Sequence, residues 1–316
     1  MNASTTDLEK RLNQLKKEVP TRGFKRHPLM VKNICDLAPD LQSSEVAALA
    51  AREDIQTIIA FPPQIHRGWH YIPKQALLFK SAEVIHLLAS IWPDHEPQVT
   101  LLKGSDLLYM EVTLILLYGY LEISALGDNT PTRLSVEFNT VAWYQLSPPL
   151  RKLLQTIKAT PGKLTDKTTV SPSARQAVEE LPLKFSNGLK IHGLLPGEEL
   201  EDLVFQPGTW KPRLFFFQKP ITANTLLLLT TNYMVVIREE LGISHGWILT
   251  YIPRVSIAGI QNKPGSLWDE LTIQLKRGDQ AAEYNLLLEK NATKELRVMW
   301  DKHGYHWEDF AEITQS

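Results

Sequence analysis

One stretch, residues 226–300, restricts the possible folds of this chain more than any other, because it alternates β-favouring runs with turn residues and then ends in an amphipathic helix. Residues 226–229 and 233–237 are apolar runs separated by a short polar segment that ends in Asn232. Asparagine tolerates the left-handed backbone conformation that many tight turns require. The spacing therefore predicts a β-hairpin.

A second hairpin and a helix follow in the same stretch. Residues 269–275 alternate polar and apolar side chains at period two, and residues 283–288 return after a turn at 276–280. That pattern predicts two strands with one buried face. Asn291 is the predicted helix cap. The stripe on this helix comprises Leu296, Met299, Trp300 and, at its margin, His303. We predict a small antiparallel β-domain closed by a C-terminal helix.

The same pattern occurs earlier in the chain, at an offset of 150 residues. Sliding the chain by this amount places residues 76–85 on residues 226–235 without a gap. The further matches are 99–101 on 249–251, 121–123 on 271–273 and 134–138 on 284–288. Identities are few, so the similarity lies in the pattern. We predict a duplicated domain; the alternative is that two unrelated β-stretches, each closed by a helix, resemble each other.

A helix is predicted at the end of the first copy as well. Ser147 would cap it and Pro148 would occupy its first position. Its stripe comprises Leu150, Leu153, Leu154 and Ile157. The two stripes are only 146 residues apart, which predicts four additional residues between the last strand and the helix of the first copy.

Three phrases resemble the pleckstrin-homology-like (PH-like) domains of bacterial proteins. LLLTTNYMVVI and WILTYIPRVSIAGIQ are similar to the third, fourth and following strands of that family, and LPGEELEDLVF is similar to its entry segment. The resemblance implies a fold that is mainly β with helices (α+β). It implies two tandem PH-like antiparallel β-barrel or sandwich domains, each closed by a C-terminal helix, together with an N-terminal helical arm.

These observations predict five segments. They are an N-terminal helical arm at 1–50, a first PH-like β-domain at 51–158, a linker with a short helix at 159–190, a second PH-like β-domain at 191–303 and a C-terminal tail at 304–316. Ser171 followed by Pro172 marks the start of the linker helix. Tyr305 and Trp307 would be costly to expose, so we expect the tail to dock on its own domain or on a neighbour.

Composition narrows the functional classes. The formal net charge is −1 over 316 residues, whereas a nucleic-acid-binding domain would be strongly basic. The single cysteine, Cys35, favours a reducing compartment. The N-terminus carries charges where a signal peptide needs an apolar run. The longest uncharged apolar stretch, 112–121, is too short to span a membrane and predicts a doubly buried strand pair. We expect a cytoplasmic protein that is not transmembrane.

No pattern predicts catalysis, a metal site or a cofactor. The pairs His66/His70 and His303/His306 lack a third ligand at a suitable spacing, and a loop or strand around Gly68 would keep the first pair of imidazoles apart. There is no glycine-rich phosphate loop and no nucleophile elbow. We therefore predict no catalytic residue, no metal ligand and no cofactor.

A weak ligand-binding pattern lies before and after the run Leu214–Phe217. The resemblance to PH domains implies that Lys211, Arg213 and Lys219 contact phosphate groups, since basic residues of an early hairpin do so in that family. The alternative is that they are ordinary charges beside a strand. The N-terminal basic cluster, which would assist in binding anionic lipid, comprises Lys16, Lys17, Arg22, Lys25, Arg26, His27 and Lys32.

Apolar side chains exceed what one sheet face can bury in residues 113–120 and 214–217. Part of this excess predicts an interface, which we place near Phe215, Phe217, Trp247 and Trp268. The resemblance implies a non-enzymatic protein that acts in protein–protein docking or self-assembly. A peripheral binder of anionic lipid or phosphate is the alternative, and an enzyme with an inter-domain site is the third possibility.

Overall fold

The structure, a computed structural model, describes residues 5–19, 27–50, 54–66, 70–127, 131–157, 168–212 and 218–309. The chain is an α+β protein in which strands dominate. It divides into two compact units, Met1–Ser105 with Val136–Thr156 and Asp106–Ser135 with Ile157–Ser316. The second unit thus includes residues 106–135, which the sequence analysis assigned to the first β-domain.

The first unit contains helices and short strands at its N-terminal side and one further helix. Its elements are α1 (Thr5–Glu18), β1 (Leu29–Val31), α2 (Ser44–Ala50), β2 (Thr57–Phe61), β3 (Gln64–His66), β4 (His70–Ile72), β5 (Gln75–Phe79), β6 (Glu83–Leu88), β7 (Gln98–Lys103) and α3 (Trp143–Gln155). The antiparallel sheet of this unit has the order β1-β2-β5-β6-β7, and β3 and β4 form a separate hairpin.

The core of the first unit lies against this sheet. Every residue of β5 is buried, which is typical of a strand covered on both faces. Leu78 and Ile85 from neighbouring strands pack with Val46 of α2. Burying such side chains contributes about 1.5–3 kcal/mol each.

The remaining elements belong to the second unit, except that the division falls within β10. They are β8 (Leu107–Ile115), β9 (Tyr118–Ala125), β10 (Thr132–Asn139), β11 (Thr169–Val170), α4 (Pro172–Glu179), α5 (Leu183–Gly188), β12 (Glu199–Gln206), β13 (Thr209–Pro212), β14 (Gln218–Thr222), β15 (Thr225–Thr230), β16 (Tyr233–Glu240), β17 (Ile243–Pro253), β18 (Ile257–Lys263), β19 (Trp268–Arg277), β20 (Gln280–Glu289), α6 (Lys290–Lys302) and β21 (Trp307–Asp309).

Two sheets organise these elements. One has the order β10-β9-β8-β17-β16-β15-β12-β11, the other has the order β20-β19-β18-β21, and β13 pairs only with β14. The predicted stripe of α6 is confirmed, because Leu296, Met299 and Trp300 are buried against Leu271 and Ile273 of the four-stranded sheet. The helix starts at Lys290 after the N-cap Glu289, so the prediction of Asn291 as the cap was wrong.

The predicted hairpin at residues 230–232 forms, but for a different reason. Among the non-glycine residues that the structure describes, only Leu116 has a positive φ, so Asn232 does not adopt a left-handed conformation. Instead, the buried carboxylate of Glu198 accepts hydrogen bonds from Thr230 Oγ1 (2.8 Å), Asn232 N (2.9 Å) and Asn232 Nδ2 (2.6 Å). A charged acceptor with several donors fixes the turn.

Element boundaries recur at the predicted offset of 150 residues. The pairs β5/β15, β6/β16, β8/β18 and β9/β19 each begin 150 residues apart. Short 3₁₀ turns at Gly104–Asp106 and Arg254–Ser256 repeat at the same offset. We call the stretch from β2 to α3 the first repeat and the stretch from β12 to α6 the second repeat.

The predicted four-residue insertion before the first helix was wrong. The last strands end at Asn139 and Glu289, and helical structure begins at Thr140 and Lys290, so the offset is still 150. α3 starts at Trp143, not at Ser147, and contains Pro148 within it. The length change lies elsewhere: Ile59 pairs with Leu77, whereas Val204 pairs with Leu227. The hairpin between these strands is thus five residues longer in the second repeat.

Buried His86 provides a stability test for the first unit. Its Nε2 lies 3.0 Å from Gln75 Oε1, and burial lowers its pKa to about 4. The unfolded chain, with a histidine pKa of about 6.5, binds the proton more readily than the folded chain. Stability is therefore present above pH 6.5 and is lost as pH falls toward 4.

We predict that the free energy of unfolding of the natural chain falls by about 3 kcal/mol between pH 7 and pH 4 through His86. His86→Gln keeps a polar partner for Gln75 but cannot titrate, so its stability should lack this component. Urea unfolding of both proteins at several pH values measures the difference. Identical pH dependence in the two proteins would show that His86 is not responsible.

Candidate interaction surfaces

Several connections of the second unit meet at one end of the eight-stranded sheet. The β8–β9 turn lies there, because Ile115 pairs with Tyr118, and the start of β17 lies beside it, because Leu114 pairs with Trp247. The β16–β17 turn follows Glu240 at the same end. The connection from β12 to β15, which contains the β13–β14 hairpin, also leaves the sheet here.

Large apolar side chains are exposed at this end. We call the set the sheet-end surface, and it comprises Leu116 (70% exposed), Leu117 (67%), Trp210 (52%), Leu241 (49%) and Ile243 (40%). Contiguous exposed apolar residues are a mark of contact with a protein or a membrane. The predicted strand pair at 112–121 is confirmed, but the prediction that it is buried throughout was wrong at Leu116 and Leu117.

The β8–β9 turn is unfavourable in its backbone as well as in its exposure. Leu116 has a φ of 52°, the left-handed region that a leucine side chain disfavours by about 1–2 kcal/mol. Tight hairpin turns use glycine, asparagine or aspartate at such positions. A leucine that is both strained and exposed indicates selection for something other than stability.

The β13–β14 hairpin lies against the neighbouring turn. A Cβ atom on Gly242, which has a φ of 79°, would lie 3.1 Å from Cγ of Pro220 on β14. Trp210 therefore lies on the same end of the unit as Leu241. The hairpin and the turn together extend the sheet-end surface.

Lys211 and Lys219 are brought together as the sequence suggested. They are directly opposite each other on β13 and β14, and both are exposed. Like charges placed opposite each other on paired strands repel, so an anion beside them would stabilise the hairpin. Arg213, Phe215 and Phe217 lie outside the residues that the structure describes.

The two tryptophans predicted at an interface lie on different sheets. The Trp247 ring, on β17, is half-buried; it packs edge-on against Phe185 with 5.3 Å between ring centres and has Lys184 Nζ 4.6 Å above it. Trp268 starts β19 in the four-stranded sheet and is also half-buried. Trp247 thus already has partners within its own unit.

The pairing of β8 with β17 joins the first repeat to the second. Residues 110–114 pair antiparallel with residues 247–251. Across this ladder, Thr250 Oγ1 donates to Glu111 Oε2 (2.9 Å) and lies 2.9 Å from the hydroxyl of Tyr284. Burial raises the pKa of Tyr284 to about 12, so the hydroxyl keeps its proton. Sequence reasoning missed this pairing, and the apolar excess in residues 113–120 was its only signal.

At the outer edge of the four-stranded sheet, the C-terminal tail adds the short parallel strand β21. Ile260 pairs with Trp307, Gln261 with Glu308 and Asn262 with Asp309. Tyr305 stacks on Trp300 with 4.5 Å between ring centres. The prediction that the aromatic tail docks on its own domain is confirmed.

The histidine argument needs one correction. β3 and β4 place His66 directly opposite His70 across the hairpin, so the four-residue spacing does bring the two backbones together. Within the described part of the chain, no three His, Cys, Asp or Glu residues are placed to hold a metal ion. His303 is instead beside Glu201, with 3.4 Å between Nδ1 and Oε2.

The titratable side chains of the largest described cleft are engaged in structural contacts. This cleft, of about 570 Å³, lies in the first unit and includes Arg11, Asp40 and Lys74. Lys74 Nζ lies 2.8 Å from Asp40 Oδ2, and Arg11 Nε donates to the backbone oxygen of Ile91. Such contacts order the loops around the cleft.

No protein-family model matches this chain, and no curated protein matches it. In the described ranges, no helix has both the length and the hydrophobicity needed to cross a membrane.

We predict that Leu116→Gly raises the free energy of unfolding by about 1 kcal/mol, because glycine adopts a positive φ without strain and little packing is lost at an exposed side chain. Leu117→Gly is the matched control, since Leu117 has similar exposure but no positive φ. This control should lower stability slightly. Denaturant unfolding measures both, and equal effects would mean that the turn stores no strain.

Proposed function

We propose that this chain is a non-enzymatic binding protein built from two PH-like repeats, and that it works by docking to further copies of itself. The strand order supports this proposal. In the second repeat, β12, β15, β16 and β17 precede β18, β19 and β20, and α6 closes the end of the latter sheet. Four strands, then three strands, then one helix is the order that the PH-like resemblance implies.

The observation that carries the proposal is the β8–β17 ladder. Two repeats of this chain associate by adding the edge strand of one sheet to the edge strand of another. Strand addition is a common mode of protein recognition, in which backbone hydrogen bonds supply affinity and side chains supply specificity. A repeat that docks in this way once has the surface to do so again.

Self-association predicts that the mass in solution rises above 35.9 kDa as the protein concentration increases. Because backbone pairing and apolar contacts are screened little by salt, the rise should persist at high ionic strength. Light scattering over a concentration series at low and high salt measures this. A mass that stays at 35.9 kDa throughout would contradict self-association.

A second candidate function is binding to an anionic membrane surface, and the hairpin favours it. Lys211 and Lys219 are adjacent and exposed, and Trp210 and Leu117 are exposed at the same end of the unit. Peripheral membrane proteins combine basic residues, which attract anionic headgroups, with apolar and aromatic residues that enter the interface.

We predict that charge reversal of Lys211 and Lys219 to glutamate lowers binding to acidic vesicles by at least about tenfold, since each basic residue near the surface contributes about 1 kcal/mol. Reversal of Lys276 and Lys294, which are also exposed, is the control with the same change in net charge. Vesicle co-sedimentation measures binding. Equal retention of both variants, or equal binding to neutral vesicles, would rule out this function.

A further inference from the structure

The repeat places equivalent strands in different environments. β8 and β18 begin 150 residues apart, and residues 98–103 of β7 correspond to residues 248–253 of β17. Within the chain, β8 of the first repeat pairs with β17 of the second. The equivalent edges that remain are β18 of the second repeat and β7 of the first.

The C-terminal strand β21 occupies the β18 edge. It pairs with Ile260, Gln261 and Asn262. Their counterparts in the first repeat are Met110, Glu111 and Val112, which pair with residues 249–251 of β17. The tail thus covers the three residues whose equivalents hold the next repeat.

The β7 edge is the complementary surface. In the part of the chain that the structure describes, β7 is the last strand of its sheet and pairs only with β6. Leu101 on this strand is 47% exposed. Edge strands with exposed backbone groups and apolar side chains are templates for the addition of another strand.

We propose that the β18 edge accepts β7 from a second copy of this chain, and that β21 competes with it for the same residues. This inference rests on the proposed self-association and names its partner strand and its regulation. The β8–β17 register transfers to the new pair as Ile260 opposite Leu101, Gln261 opposite Thr100, Asn262 opposite Val99 and Lys263 opposite Gln98.

The side chains fit this register. Glu111 and Thr250 form the hydrogen bond across the internal ladder, and their counterparts, Gln261 and Thr100, are also a hydrogen-bonding pair. The next counterparts in the register are Pro264 and Pro97. A proline has no N–H to donate, so the ladder ends at these two residues.

The covering strand is held by contacts that a longer partner can replace. β21 contributes three residues in parallel pairing, which is slightly weaker per residue than antiparallel pairing. Its anchor is the exposed ion pair between Arg297 Nη1 and Asp309 Oδ2, at 2.7 Å. Exposed ion pairs contribute little and are screened by salt.

Pairing of β18 with β7 is heterologous, because the two edges differ. Each copy that docks through one edge presents the other, so the contact generates rings or open filaments, not only dimers. A strand that covers one edge limits this growth. The C-terminal tail therefore sets the concentration at which assembly begins.

The first test uncovers the edge. Glu308→Pro removes the central N–H of β21, and Glu308→Ala is the control that changes only an exposed side chain. Light scattering of the full chain should show Glu308→Pro assembling at a concentration at least about tenfold lower than Glu308→Ala, as expected if the lost contact is worth about 1.4 kcal/mol. Equal assembly of the two variants would overturn the role of β21.

The second test closes the partner edge. Leu101→Lys, introduced into Glu308→Pro, should restore the assembly threshold of the natural chain, because lysine on an edge strand opposes strand addition. Leu287→Lys is the matched control, with 49% exposure on the edge strand β20. Assembly that survives Leu101→Lys, or that is lost equally with Leu287→Lys, would overturn the assignment of β7.

Disulfide trapping tests the register without disturbing the tail. In a Cys35→Ser background, copies with Gln261→Cys are mixed with copies with Thr100→Cys and oxidised. The pair should form a mixed dimer at least about tenfold more than Gln261→Cys with Lys103→Cys, in which the strand spacing places the residues about 10 Å apart along β7. Equal yields would refute this register.

These outcomes separate the inference from the proposed function. If the natural chain self-associates but neither Leu101→Lys nor Glu308→Pro changes its threshold, the strand assignment is wrong and self-association stands. If neither the natural chain nor Glu308→Pro exceeds 35.9 kDa, both are wrong.

Discussion

The antiparallel ladder between β8 and β17 is the interaction on which the second unit depends. It converts two separate sets of strands into one eight-stranded sheet, and it places the polar contact between Glu111 and Thr250 where solvent is excluded. Gly246 shows how closely the strands approach, because a Cβ there would lie 2.3 Å from the backbone oxygen of Leu114. With a φ of 116°, this position accepts only glycine without strain. The sheet end and its exposed apolar turn are consequences of this ladder.

Duplication explains why strand edges matter here. Each repeat supplies one edge of each kind, so joining two repeats satisfies one pair and leaves another. Open edges are hazards for aggregation, and natural proteins cover or charge them. In this chain, β21 covers the edge of β18, while β7 has Lys103 at its end and Leu101 exposed. A covered edge beside an open one is an arrangement that permits assembly but limits it.

Much of the fold could be predicted from the sequence because its signals are local. The hairpin at Thr230 to Tyr233, the stripe of α6 and the offset of 150 residues follow from alternation and spacing. Helix starts were missed because Glu289 and Ala142 do not carry the side-chain oxygens typical of caps at those positions. The β8–β17 pairing could not be predicted, since strands more than a hundred residues apart pair according to the shape of the assembled core. Lys211 and Lys219 were found because a basic pattern survives without tertiary information.

Amide hydrogen exchange of the intact chain tests the central claim, that the repeats are joined through a continuous backbone ladder. Peptides covering residues 110–114 and 247–251 should exchange slowly and together, because both sides of the ladder open in one event. The edge strand β7 in the same molecule is the internal reference for a strand that is paired on one side only. If residues 110–114 exchanged as fast as β7, the ladder would be absent in solution and the account would be contradicted.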